Sequence, residues 1–146
     1  MPTSILTLYT ENRKELTRFA KFAVVGMIGA VIHFSILNLM HKAVGWPVLW
    51  ANTLAVSVAI LSNFTWNRLW TYPESRSCGR REQLVQFTIV NLIGLVINDF
   101  IVDRLSAHLS LVIGDPWDLW LAWLVAVGVV LFWNFGVNRL WTYRGL

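Results

Sequence analysis

Four apolar runs decide what this chain can become. They occupy residues 22–40, 48–67, 84–102 and 119–137. Each is close to the ~20 residues that a helix needs to cross hydrocarbon. Membrane-spanning strands need roughly half that length and alternate polar with apolar residues, which these runs do not. With no water in the bilayer core to satisfy the backbone, helices are the required solution. Composition agrees. The 146 residues are 56% hydrophobic and 14% charged, against roughly a quarter charged in a soluble domain, so little chain is left for a soluble domain. Many of the nine tryptophans sit at the ends of the apolar runs, where indole rings favour the membrane–water interface.

Several function classes are thereby excluded. Cys78 is the only cysteine, which rules out an internal disulfide and any zinc spacing. The net charge of +4 lies outside the apolar runs, so membrane topology explains it better than nucleic-acid binding does. No Ser–His–Asp spacing, metal-ligand cluster or glycine-rich phosphate loop occurs. The expectation is a protein without metal or cofactor that is not an enzyme. The first apolar run is too long for the core of a cleavable signal peptide, so it is expected to remain in the mature chain.

The breaks between runs are short: Gly45-Trp46-Pro47, then Pro73 with Ser75, Ser77 and Gly79, then Gly114-Asp115-Pro116. Short connectors make consecutive helices antiparallel neighbours. Arg13, Lys14, Arg18 and Lys21 precede the first run; Arg68, Arg76, Arg80 and Arg81 lie between the second and third; Arg139 and Arg144 follow the fourth. The opposite side carries only Lys42 and Arg104, with Asp103, Asp115 and Asp118. The positive-inside rule then places both termini and the 71–83 loop in the cytoplasm. The expected fold is an all-α protein of the cell inner membrane with four transmembrane helices, forming a single domain over residues 1–146.

A phrase occurs twice, seventy-one residues apart. Asn63-Phe64-Thr65-Trp66-Asn67-Arg68-Leu69-Trp70-Thr71-Tyr72 is echoed by Asn134-Phe135-Gly136-Val137-Asn138-Arg139-Leu140-Trp141-Thr142-Tyr143. The opening helices align at an offset of 65: Phe22, Val25 and Gly29 match Phe87, Val90 and Gly94. Internal self-similarity means one structural unit built twice. Because both hairpins run in–out–in, the repeat is parallel: about 18–72, a loop of about 73–83, and about 84–144.

What the copies share is polar, and polar groups in a membrane need a partner or a job. Asn63 and Asn67 are four apart and share a helix face, as do Asn134 and Asn138; Asn52 joins the first stripe. His33 among small residues of the first helix, and Asn91 and Asn98 in the third, form similar stripes. Interhelical glue is one reading of the asparagines. The other is a binding site, because glue needs no guanidinium at the same place in both halves. Arg68 and Arg139 either snorkel to the headgroups or offer planar forks of donors to phosphate oxygens, with Asn67 and Asn138 beside them. Asp99 is a carboxylate within the third helix, expected to face a cavity or a partner. Pairing with His33 is one option; a neutral, hydrogen-bonded His33 is the other. The Trp-Thr-Tyr aromatics are expected to form the inner interfacial belt.

The early Arg18-Phe19-x-Lys21-Phe22-x-x-Val25-Gly26 segment, four short helices and the duplicated Asn-Arg-x-Trp-Thr-Tyr ending resemble the GtrA-like membrane proteins. The resemblance covers about residues 18–144. The second copy of the early segment departs from the first, with Asn91 in place of the glycine and Gln86 in place of the lysine. The family is associated with cell-surface polysaccharide synthesis. The resemblance implies translocation of a polyprenyl-phosphate-linked sugar, such as undecaprenyl-phosphate glucose, across the inner membrane for O-antigen modification. Its Asn-Arg elements correspond to Asn67-Arg68 and Asn138-Arg139. In this scheme the arginines and Asn63, Asn67, Asn134 and Asn138 take the lipid phosphate. Asn52, His33, Asn91, Asn98 and Asp99 line the path. Enclosing a path with four helices calls for a homodimer. The competing expectations are a non-transporting scaffold for a glycosyltransferase, a small exporter, and an intramembrane transferase.

Overall fold

The computed structural model describes the backbone of residues 5–114 and 117–145, and side chains from residue 11 onward within those limits. Asp115 and Pro116, expected to break the last two helices, lie outside the described residues. Four long helices account for most of the rest: α1 (Ile5–Asn38), α2 (Val48–Trp66), α3 (Arg80–Leu109) and α4 (Trp117–Val137). No strand occurs among the described residues. All four helices are long and apolar enough to cross a membrane.

Hydropathy locates the spans but not the helix ends. α1 begins well before the expected residue 22 and runs for 34 residues, about 50 Å at 1.5 Å per residue. The hydrocarbon core is only ~30 Å thick. The polar first part of α1 is helical because its Leu, Glu, Lys and Arg residues are good helix formers; apolarity reports only the part that meets lipid. α3 is longer than its apolar run at both ends for the same reason.

The chain divides into two compact units at the Cys78–Gly79 junction. The first is a hairpin of α1 and α2. Its turn uses one wide π-helical turn over Leu39–Ala43 and a left-handed Gly45 at φ 79°, a conformation that only glycine adopts without strain. The core of this hairpin is Phe22, Val25, Ala51, Ala55, Ala59, Phe64 and Tyr72. Alanines at a spacing of four let the helix backbones approach closely, and in lipid that packing is the main driving force between helices. The second unit is a hairpin of α3 and α4 with Phe87, Val90, Ala122, Ala126 and Tyr143 at its centre. The Trp133 indole N–H donates to the Val90 carbonyl at 3.2 Å across it.

Each hairpin contains one close approach of a glycine to an asparagine. A Cβ placed on Gly29 would fall onto the Asn63 carboxamide; one placed on Gly94 would lie 2.7 Å from Asn134 Oδ1. Glycine is what allows each asparagine to sit against the facing backbone. Oδ1 of both asparagines is buried without a conventional hydrogen-bond donor, so the glycine Cα–H groups are left to offset part of that cost.

Candidate functional site

The duplicated phrase does more than end two helices. In both units the α-helix widens into a single π-helical turn at the Asn-Arg pair, over Asn67–Thr71 and Asn138–Thr142. The closing bonds run five residues back, from the Tyr72 amide to the Asn67 carbonyl and from the Tyr143 amide to the Asn138 carbonyl, each at 2.8 Å. Such turns recur at functional sites because the extra residue redirects side chains out of the regular helical register. Here the turn carries the asparagine and the tyrosine inward together. Asn67 and Asn138 are 1% and 0% exposed, and Tyr72 and Tyr143 are fully buried.

The tyrosines therefore depart from the expected interfacial belt. Trp66, Trp70 and Trp141 are exposed at the surface, as the belt requires, but Tyr72 is packed within its hairpin under the Arg18 guanidinium, 5.2 Å from the ring centroid. Sequence reasoning grouped them by residue type, whereas the π-helical turn separates them by direction.

The two asparagines differ in their hydrogen bonding. Asn138 donates to the Asn134 carbonyl at 2.8 Å and accepts from the Thr142 hydroxyl at 2.7 Å. In the first hairpin, Asn67 Oδ1 and Thr71 Oγ1 are both buried without a hydrogen-bond partner. The threonines belong to the duplicated phrase, yet nothing in the sequence reading had assigned them a part.

Arg68 is 7% exposed, too buried for a side chain that merely snorkels. One of its terminal nitrogens donates to the Arg76 and Cys78 carbonyls at 3.1 and 2.9 Å. Those carbonyls belong to the segment that follows the π-helical turn, a 3-10 turn over Pro73–Ser77. Arg139 is half-buried and donates to the Tyr143 carbonyl at 3.2 Å.

A second set of charges meets at this end of the first hairpin. Arg18 is buried, bonds Glu15 at 2.8 Å and reaches Glu74 at 3.2 Å. Lys14 approaches Glu74 at 3.5 Å. Lys21 lies over the Trp70 ring at 5.5 Å and donates to its carbonyl. Glu74 titrates below its ordinary value: a hydrogen bond to its own backbone lowers it most, partial burial opposes this, and Arg18 and Lys14 lower it further. In the sequence Arg18 reads as a topology signal and as part of a motif. Its partner lies 56 residues away, beyond any local pattern.

The remaining polar residues fall as follows. His33 and Asn52 face each other across α1 and α2, with His33 Nε2 2.9 Å from Asn52 Oδ1, which is the hydrogen-bonded option for that histidine. Asn91 bonds back to the Phe87 carbonyl at 2.8 Å. Asn98 donates to Asp99 at 3.3 Å, and Asp99 is exposed. Among the described residues, no group of three His, Cys, Asp or Glu is arranged to hold a metal.

Two comparisons bear on this arrangement. Residues 21–143 match the family described as GtrA/DPMS, transmembrane domain. Over 126 residues the chain is 38% identical to a dolichol-phosphate mannosyltransferase of Pyrococcus furiosus; the match covers 85% of this chain and 32% of that protein. The chain thus spans about a third of the length of this relative.

Proposed function

The chain belongs to the GtrA/DPMS transmembrane-domain family, and we propose that it translocates a polyprenyl-phosphate-linked sugar across the inner membrane, with both termini cytoplasmic. Such a lipid presents a charged, hydroxylated head that cannot cross hydrocarbon unaided. The observation that carries the proposal is the recurrence of one device in each hairpin: a buried asparagine and an adjacent guanidinium on a π-helical turn. Guanidinium is suited to phosphate oxygens by its planar fork of donors. The buried Asn67 Oδ1 requires a donor, which a sugar hydroxyl supplies and an ionised phosphate does not, while the unpartnered Thr71 hydroxyl can donate or accept. The chain itself is non-catalytic in this scheme. His33, Asn52, Asn91, Asn98 and Asp99 line the path, and a second copy completes its wall.

Reconstitution tests this reading. Purified protein in liposomes carrying labelled undecaprenyl-phosphate glucose is expected to accelerate its transbilayer movement. Arg68→Gln with Arg139→Gln is expected to abolish the acceleration in a folded preparation. A folded wild-type protein that moves no polyprenyl-phosphate sugar overturns it.

One observation favours a second reading. The mannosyltransferase relative is about three times as long as the region matched, so a domain of this kind accompanies an enzyme in that protein. The chain would then serve as the membrane partner of a separate glycosyltransferase. Co-purification of that enzyme, unaffected by the double arginine change and accompanied by no lipid movement, distinguishes this role from translocation.

A further inference from the structure

Arg68 is held by its own chain. Its guanidinium donates to the Arg76 and Cys78 carbonyls at 3.1 and 2.9 Å, and both residues lie on the short segment between the π-helical turn and α3. Two backbone oxygens on one guanidinium nitrogen occupy donor capacity that a phosphate would use. We propose that residues 73–78 form a strap that occupies Arg68 at rest and is displaced when the phosphate of a lipid head takes its place. The proposal rests on the reading that Arg68 meets lipid phosphate, and it adds a regulated access to that residue.

The strap is fastened weakly and at identifiable points. Glu74 is tied to Arg18 at 3.2 Å and to Lys14 at 3.5 Å. Its carboxylate is 44% exposed, and ion pairs at that exposure contribute little. The Arg76 guanidinium bonds the Leu69 carbonyl at 2.8 Å from an exposed position. The only internal regularity is one 3-10 turn, with amide bonds from Ser75 to Tyr72 and from Cys78 to Ser75. Ser75 is the one buried anchor, its hydroxyl donating to the Tyr72 carbonyl at 2.7 Å, and the residues on either side of it are exposed, so Arg76–Cys78 can leave Arg68 while Ser75 stays in place.

Release of Arg76–Cys78 leaves no charged group stranded. Arg18 retains Glu15 at 2.8 Å when Glu74 departs, so its buried charge stays paired. The Arg76 and Cys78 residues are exposed, so water takes up the freed carbonyls. Arg68 exchanges neutral acceptors for a charged one, and hydrogen bonds between two ionised partners are the stronger kind. The segment ends at Gly79, around which a Cβ would meet nothing within 4 Å, so its far end has room to swing.

Cys78 supplies the probe. It is exposed and the only cysteine in the chain, so a nitroxide attached there reports strap mobility without any engineered site. Labelled full-length protein in phosphatidylcholine nanodiscs is titrated with undecaprenyl phosphate or with inorganic phosphate. Bound lipid is counted separately by native mass spectrometry. The expected result is a mobile nitroxide fraction that rises at least threefold on binding undecaprenyl phosphate. Glu74→Gln is expected to raise the mobile fraction without ligand and to lower the half-saturating lipid concentration several-fold. A response to inorganic phosphate as well upholds the displacement and assigns the anion to a soluble source. Lipid binding with no change at Cys78 overturns the strap and leaves the translocation reading standing. Absence of lipid binding to folded protein overturns both.

Discussion

At the scale of single residues, the two hairpins make the same contacts with different tolerances. Gly29 has no spare room, because a methyl group there collides with the Asn63 carboxamide, whereas Gly26 has open space. Gly29→Ala is therefore expected to destabilise the protein by about 1–3 kcal/mol, the usual cost of overpacking. Gly26→Ala should stabilise it slightly through helix propensity. Adding Asn63→Ala to Gly29→Ala should recover most of the loss. Thermal unfolding in detergent checks all three, and equal behaviour of the two glycine variants would refute the contact. The threonines of the duplicated phrase give a second contrast. Thr142 donates to the buried Asn138 oxygen, so Thr142→Val leaves an acceptor unsatisfied, at about 1–3 kcal/mol. Thr71 Oγ1 is already unpartnered, so Thr71→Val should be neutral or mildly stabilising. A Thr71→Val change that costs as much as Thr142→Val, or more, in the same unfolding assay would refute the assignment of these bonds.

At the scale of elements, the sequence located the four spans because burial in lipid leaves an apolar signature about twenty residues long. It could not locate the ends of α1 or α3, where the helix continues into polar residues. Nor could it show the π-helical turns, since one extra residue per turn leaves no mark on hydropathy; only the duplication pointed to the place. Pro73, Ser75, Ser77 and Gly79 mark a loop in the sequence, and the structure forms a 3-10 turn there, but nothing in those residues points to Arg68. Its fastening makes an element-level prediction. Glu74 titrates below its ordinary 4.5 in the folded protein, chiefly through its own backbone hydrogen bond, with partial burial opposing and Arg18 and Lys14 assisting. Its ionised form therefore contributes fully above the unfolded value, and the contribution is lost as pH falls through the lower folded value. Glu15 shares Arg18 and must be held in the comparison. A nitroxide at Cys78 should show constant mobility from neutral pH down to about 4.5 and a rise below it. In the Glu74→Gln variant it should be mobile throughout, with no acid step. An acid step of the same size in that variant would assign the transition to Glu15 instead.

At the scale of the whole molecule, the proposed orientation rests on charge rather than on packing. Of the 12 lysines and arginines, all but Lys42 and Arg104 fall before the first span, between the second and third, or after the fourth. An even number of spans returns the chain to the side on which it began, so these cations share one side of the membrane. Cytoplasmic retention of Lys- and Arg-rich short loops supports the proposal that this side is cytoplasmic. Under that proposal Arg68, Arg139 and the 73–78 segment would lie at the cytoplasmic face. Cys78 again provides the test, because it is exposed within that loop. A membrane-impermeant maleimide should label it in inside-out vesicles and leave it untouched in intact spheroplasts until detergent is added. Labelling in intact spheroplasts would put the guanidiniums on the outer face. The proposed cytoplasmic placement of the termini and of both arginines would then be overturned.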